Sequence, residues 1–145
     1  MLLKDHTNNK LDDIFEYNWQ SKFLYSLYIN QCSKNSCNSI FNRHVHKLAA
    51  MVIKLYLKIG DDTETNYLAV LFEALTVITQ LITDQLLLTE VQNHIVDVFG
   101  KLVKRYKNGL FYWRDGRSAR IDITGHVLNG LMYIMKLDRS RSKNI

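Results

Sequence analysis

The 145-residue chain contains no proline, and this feature constrains its fold more than any other. Proline interrupts helices because it lacks an amide hydrogen and its ring clashes with the preceding turn. Its absence favours long, uninterrupted helices. Apolar side chains also recur at three- and four-residue intervals in several segments, the pattern typical of amphipathic helices. We therefore predict an all-α chain of about five helices.

The first three helices are predicted from their apolar stripes and the polar segments between them. The apolar stripe of the first helix consists of Trp19, Phe23, Leu24, Leu27 and Tyr28. The second helix begins near Ile40 and is ended by Gly60, a residue typical of helix C-termini. The acidic segment 61–65 provides N-cap candidates for a third helix over 64–82.

The fourth helix is predicted from a capping box and a stop signal. Thr89 and Gln92 have the spacing of a capping box, in which two side chains satisfy the first free amides of a helix. Asn108-Gly109 is the expected end of this helix.

A short strand prediction competes with the loop that precedes the fifth helix. Asp115-Gly116 lies between aromatic and β-branched residues and could close a β-ribbon within 111–123. Asp122 or Thr124 would cap the fifth helix, which we expect to run to about Leu137.

Length and composition indicate a single domain. A chain of this size buries roughly 70% of its unfolded surface, so a conventional apolar core is possible. We expect residues 1–15 to be disordered, 16–138 to form the helical domain and 139–145 to be a basic tail. No segment is long and apolar enough to predict a membrane span. The N-terminus lacks the apolar stretch of a secretory signal, so the chain as written would be cytoplasmic.

The positive charge does not by itself predict a nucleic-acid partner. The formal net charge is +5, and much of the excess lies in Arg114, Arg117, Arg120 and the segment 136–143. No recognised nucleic-acid motif accompanies these residues, so we expect no nucleic-acid partner.

The two cysteines leave two alternatives open. Cys32 and Cys37 lie in a stretch rich in Ser and Asn and could form a small disulfide, or remain free or partly buried thiols. They cannot form a four-ligand zinc site alone.

The sequence shows no pattern typical of catalysis. His44 and His46 are two positions apart and point to different faces of a helix. Asp61, Asp62 and Glu64 are explained by their place before a helix N-terminus. Phosphate-binding glycine loops, nucleophile elbows and metal signatures are absent from the sequence. We predict no catalytic, cofactor-binding or metal-binding residue, and no enzymatic activity.

Two segments carry a family resemblance. Tyr67-Leu-Ala-Val-Leu-Phe-Glu-Ala-Leu75 resembles the tyrosine-started helix of the thioester domain of the alpha-macroglobulin and complement family. Trp113-Arg-Asp115, followed by Ile121–Leu131, resembles the tryptophan, acidic residue and threonine- and leucine-rich helix of that domain. The resemblance covers residues 19–138. It gives four structural or recognition candidates, which are Tyr67, Trp113, Asp122 and Thr124.

The resemblance implies a partial α/α toroid built of antiparallel helical hairpins. It implies a non-enzymatic scaffold piece of an endopeptidase inhibitor or innate-immune opsonin, extracellular if the parent protein is secreted. Its partners would be the rest of that protein, proteases or complement-like components. The glycine-cysteine-glycine-glutamate-glutamine thioester motif is absent, so no residue here is expected to capture a target covalently.

Two alternative functions remain open. The first is an autonomous helical bundle, of the type of a viral apoptosis or signalling regulator, that binds a partner helix in an apolar groove. The second is a lipid-cavity bundle whose basic mouth is formed by Arg114, Arg117 and Arg120.

Overall fold

The computed structural model describes residues 10–32 and 38–142, with side chains up to residue 137. Within these residues the five helices are α1 (Ile14–Gln31), α2 (Ser39–Tyr56), α3 (Thr65–Thr79), α4 (Gln85–Val103) and α5 (Ile121–Ser142). A 3-10 turn, Leu11–Asp13, precedes α1, and strands β1 (Tyr106–Lys107) and β2 (Leu110–Phe111) lie between α4 and α5. The prediction of an all-α fold with a short ribbon is confirmed.

Helix α3 is the centre of the molecule. It packs against α1, α2, α4 and α5. Of its 15 residues, 13 are buried. A helix that is apolar on every side is stable only when it is enclosed, since no face of it favours water. The near-continuous apolar run from Leu68 to Ile78 therefore explains why this segment occupies the core.

The contacts of α3 show the directions of its neighbours. Asp12, in the turn just before α1, contacts Tyr67 near the start of α3, and Asn18 within α1 contacts Glu73 in its middle. Helix α5 follows α3 in the same order, since His126 contacts Glu73 and Tyr133 contacts Gln80. Helices α1, α3 and α5 therefore run in the same direction. Arg105, just beyond the end of α4, instead reaches Thr63 just before α3, so α4 runs the opposite way.

A β-hairpin connects α4 to α5. Tyr106 pairs with Phe111 and Lys107 with Leu110. The turn residues Asn108 and Gly109 have φ values of 51° and 82°. Two successive positive φ angles are typical of a type I′ turn, which matches the twist of the paired strands. The sequence placed Asn108-Gly109 at a helix end, whereas it forms the hairpin turn and α4 ends earlier, at Val103.

The predicted turn at Asp115-Gly116 also exists, but it closes an isolated bridge instead of a ribbon. Tyr112 pairs with Ala119 as that bridge. The amide of Trp113 donates to the carbonyl of Ser118 at 2.7 Å. The two named strands lie mostly before the 111–123 segment that the sequence indicated.

The helix caps differ from several predictions. Asp84 caps α4 by accepting from the amide of Leu87 at 2.7 Å, so the predicted capping box is wrong. Thr89 lies inside the helix, where its hydroxyl donates to the carbonyl of Gln85 at 2.9 Å. Helix α5 begins at Ile121, so the predicted capping residues lie within its first turn.

Other boundaries shifted as well. Helix α2 ends at Tyr56, before Gly60, whose amide instead donates to the hydroxyl of Thr63 at 2.8 Å within the following loop. Residues 11–15 lie in the 3-10 turn and the start of α1, so this part of the segment predicted to be disordered is helical. Residues 1–9 of that segment lie outside the described residues. Cys32, directly after α1, is disulfide-bonded, and Cys37 lies outside the described residues.

Candidate functional site

A carboxylate lies at the centre of the helical core. Glu73 is in the middle of α3, and its side chain is 0% exposed. Its oxygen Oε2 accepts from Asn18 Nδ2 at 2.9 Å and lies 2.5 Å from His126 Nδ1. The other oxygen, Oε1, contacts Lys22 Nζ at 2.7 Å and accepts from Asn129 Nδ2 at 3.2 Å. We call these five residues the Glu73 network.

The network keeps Glu73 ionised. Burial by itself raises the pKa of this carboxyl group because it disfavours the charged form. Hydrogen bonds from His126, Lys22 and Asn18, together with the positive charge of Lys22, outweigh burial and hold the pKa of Glu73 at about 2. A buried charge is tolerated only when it is paired and hydrogen-bonded in this way.

Helical spacing brings the partners of Glu73 together. Asn18 and Lys22 are four positions apart and lie on one side of α1. His126 and Asn129 are three positions apart and lie on one side of α5. The network therefore joins α1 and α5 to the central helix through the same carboxylate. Both carboxylate oxygens are already engaged, so the arrangement favours a structural role over acid–base chemistry.

The network changes which face of α1 is buried. The sequence predicted Trp19, Phe23 and Tyr28 on the core face, whereas they are 73%, 58% and 41% exposed. Asn18 and Ser21 are buried instead, at 3% and 0% exposed. The prediction was wrong for these three aromatic residues, whereas Leu24 of the same stripe packs against the core. The buried face of α1 also contains Ile14 and Tyr17, and this orientation lets Asn18 and Lys22 reach Glu73. An uncompensated buried carboxylate would cost more than leaving the three aromatic side chains in water.

Helix α5 also exposes apolar side chains. Leu128, Met132 and Met135 are 55%, 56% and 56% exposed. The adjacent sides of α1 and α5 meet where the rings of Tyr25 and Tyr133 pack edge to face, with centroids 5.2 Å apart. We call this meeting line the α1–α5 seam. Trp19 on α1 and Met132 on α5 are exposed on the two helices that form it.

The four candidates from the family resemblance have separate structural roles. Tyr67 donates a hydrogen bond to Asp12 and packs on the ring of Phe15, at a centroid distance of 5.7 Å. Trp113 is partly buried against the core. These two aromatic residues anchor, respectively, the start of α1 and the segment after the hairpin.

The other two candidates lie at the start of α5. Asp122 forms an exposed ion pair with Arg120 at 2.7 Å. Thr124 is 9% exposed, and its hydroxyl accepts from the amide of Phe111 at 3.2 Å, which fastens the hairpin to α5. The four candidates therefore have different partners and do not form one site.

An open cavity of about 340 Å³ lies beside the hairpin joint, lined by Glu64, Trp113, Arg114, Asp115 and Ser118. Arg114 donates to the carbonyl of Asp62 at 2.9 Å and approaches Glu64 to 3.6 Å. Of the three arginines proposed for a lipid mouth, Arg114 alone lines this cavity, and most of its lining is polar. Nothing in its shape or chemistry favours a lipid chain.

The Glu73 network was not predicted from the sequence. One signal was present: Glu73 is the single charged residue in the apolar run from Leu68 to Ile78. A charge in the middle of a buried helix indicates a partner elsewhere in the chain. Its partners were not predictable, because they lie more than 50 positions away in both directions.

Comparisons with known proteins identify no relative of this chain. Neither a protein-family model, nor a curated protein, nor a solved structure matches it. In the described part of the chain, no helix is both long and apolar enough to cross a membrane. The same residues contain no group of three or more His, Cys, Asp or Glu side chains placed to hold a metal ion.

Proposed function

We propose that this protein is a non-enzymatic helical module that binds a partner helix through the exposed apolar side chains of α1 and α5. One observation carries the proposal. Trp19 is 73% exposed, whereas its neighbour Asn18 is 3% exposed. The fold thus turns Asn18 inward, beside the buried Ile14 and Tyr17, and presents a tryptophan to solvent.

Such a surface fits protein recognition. Exposed apolar residues that cluster on one region of a soluble protein are typical of interaction sites. Tryptophan is among the residues that contribute most to binding when a partner covers it. The methionines of α5 add flexible apolar side chains that adapt to different partners. An amphipathic helix is the element whose apolar stripe fits the line between two surface helices.

The thioester-domain interpretation remains a prediction that rests on the sequence resemblance. A scaffold piece of a toroid would also expose apolar side chains, where neighbouring hairpins would cover them. The two functions differ in what they bind. A helix-binding module captures a separate amphipathic peptide in solution, whereas a scaffold piece requires its adjoining hairpins.

Fluorescence of Trp19 provides a direct test. The chain has two tryptophans, so Trp113→Phe leaves Trp19 as the single reporter. Addition of a designed amphipathic helical peptide should shift its emission to shorter wavelength and give a saturable binding curve. A peptide of the same composition with its apolar residues dispersed is the matched ligand control.

Two substitutions locate the binding surface. Phe23→Ala should weaken peptide binding about tenfold, a value typical of an interface hot spot. Leu86→Ala removes a side chain that is 83% exposed at the start of α4 and should leave binding unchanged. Equal effects of the two substitutions, or equal binding of the dispersed peptide, would contradict the proposal.

A further inference from the structure

The charges along the α1–α5 seam indicate what kind of helix would bind there. Lys136 on α5 is exposed, and its ammonium group lies 4.7 Å from the ring centre of Tyr133 and 5.5 Å from that of Tyr25. Two aromatic faces hold this cation in place by cation–π attraction. Within the described residues Lys136 forms no ion pair with a carboxylate.

A second cation lies on the same seam. Lys22 is 28% exposed on its outer side while its ammonium contacts Glu73. It also lies 5.5 Å from the ring centre of Trp19. Glu73 balances the charge of Lys22, so at this point the seam presents a paired lysine and an aromatic ring to solvent.

Two acidic side chains near the N-terminal end of α1 have hydrogen-bond partners of their own. Glu16 accepts a hydrogen bond from Gln20 Nε2 at 3.0 Å. Asp12 accepts a hydrogen bond from Tyr67 near the start of α3. Among the described residues of the seam, Lys22 is paired with Glu73, whereas Lys136 has no carboxylate partner.

Building on the proposed function, we infer that the α1–α5 seam selects an acidic amphipathic helix, with apolar residues against Trp19 and Met132 and a carboxylate paired with Lys136. Complementary charges at an interface govern partner choice and association rate more than total affinity. A cation that is already held in position loses little side-chain freedom when it pairs. A partner carboxylate would therefore find Lys136 prearranged.

The test uses two designed helical peptides with the same apolar stripe, one with Glu and one with Lys at the flanking positions. On the Trp113→Phe protein we expect the Glu peptide to bind at least tenfold more tightly, with affinity that falls as salt is added. Lys136→Glu should remove this preference. Lys54→Glu makes the same charge change at an exposed position of α2 and should preserve it. Far-UV circular dichroism verifies that each variant is folded.

The outcomes separate this inference from the proposed function. If both peptides bind equally, or if Lys54→Glu has the same effect as Lys136→Glu, acidic selection at the seam is refuted while helix binding stands. If neither peptide binds, both proposals fail. A second copy of the chain or an anionic phosphatidylserine vesicle that shifts Trp19 emission, with no response to the Glu peptide, would also overturn the inference.

Discussion

Replacement of Glu73 by glutamine tests whether the carboxylate network stabilises the fold. Glutamine has nearly the same shape but no charge, and its amide group would face donors from Asn18, Lys22, His126 and Asn129. The difference between an ordinary glutamate pKa of 4.5 and the value of about 2 in the folded protein corresponds to roughly 3 kcal/mol at neutral pH. The loss of one partner from a buried ion pair costs about 3–5 kcal/mol, which agrees in size.

The effect should depend on pH in one direction. The folded-state pKa of Glu73 lies below its ordinary value, so its stabilisation is present above about pH 5 and is lost as the pH falls from 4.5 towards 2. Glu73→Gln should therefore destabilise the protein by about 3 kcal/mol at neutral pH and progressively less in acid.

Urea unfolding followed by circular dichroism, repeated across this pH range, measures both quantities. Glu90→Gln is the matched control, since Glu90 is half exposed and pairs with His94 at 3.5 Å. It should change the free energy of unfolding by less than about 0.5 kcal/mol. A Glu73→Gln effect below about 1 kcal/mol at neutral pH, or one that does not change with pH, would refute the reasoning.

Two further predictions concern packing. Gly130→Ala would place a methyl group 2.5 Å from the ring of Phe72 and should destabilise the protein by about 1–3 kcal/mol. Gly125→Ala on the same helix meets nothing within 4 Å and should be neutral or slightly stabilising. Equal urea midpoints for the two variants would contradict this. Trp113→Ala should lower the free energy of unfolding by about 1–3 kcal/mol. This is less than the roughly 3–5 kcal/mol lost with a fully buried tryptophan, because Trp113 is only partly buried. An unchanged melting temperature would show that Trp113 does not pack on the core.

The helices were predictable because their signals are local. A third helix was predicted over 64–82, and α3 occupies Thr65–Thr79. Apolar periodicity likewise placed α2 and α4 on the chain. Helix ends were harder to place, because several residues compete for each cap. Asp84 and Thr89 both have side chains that cap helices, and the structure uses Asp84.

The hairpin turn was predicted from the sequence as the end of a helix. Asn108-Gly109 is typical both of a helix end and of a tight β-turn. The structure selects the turn, because α4 ends at Val103 and leaves enough chain for two short strands. Contact of Phe111 with Thr124 on α5 then holds the second strand, a long-range interaction that the sequence pattern does not encode.

The sequence by itself determined that this protein is helical, since this follows from the spacing of its apolar residues and the absence of proline. The tertiary structure decided which side of α1 faces inward. A single carboxylate on α3 requires donors. Asn18, 55 positions earlier, and Lys22 supply them only if their side of α1 faces the core, where Ile14 and Tyr17 are buried beside them. The need to satisfy a buried charge outweighed the apolar pattern of that helix, and it left Trp19 exposed at the surface.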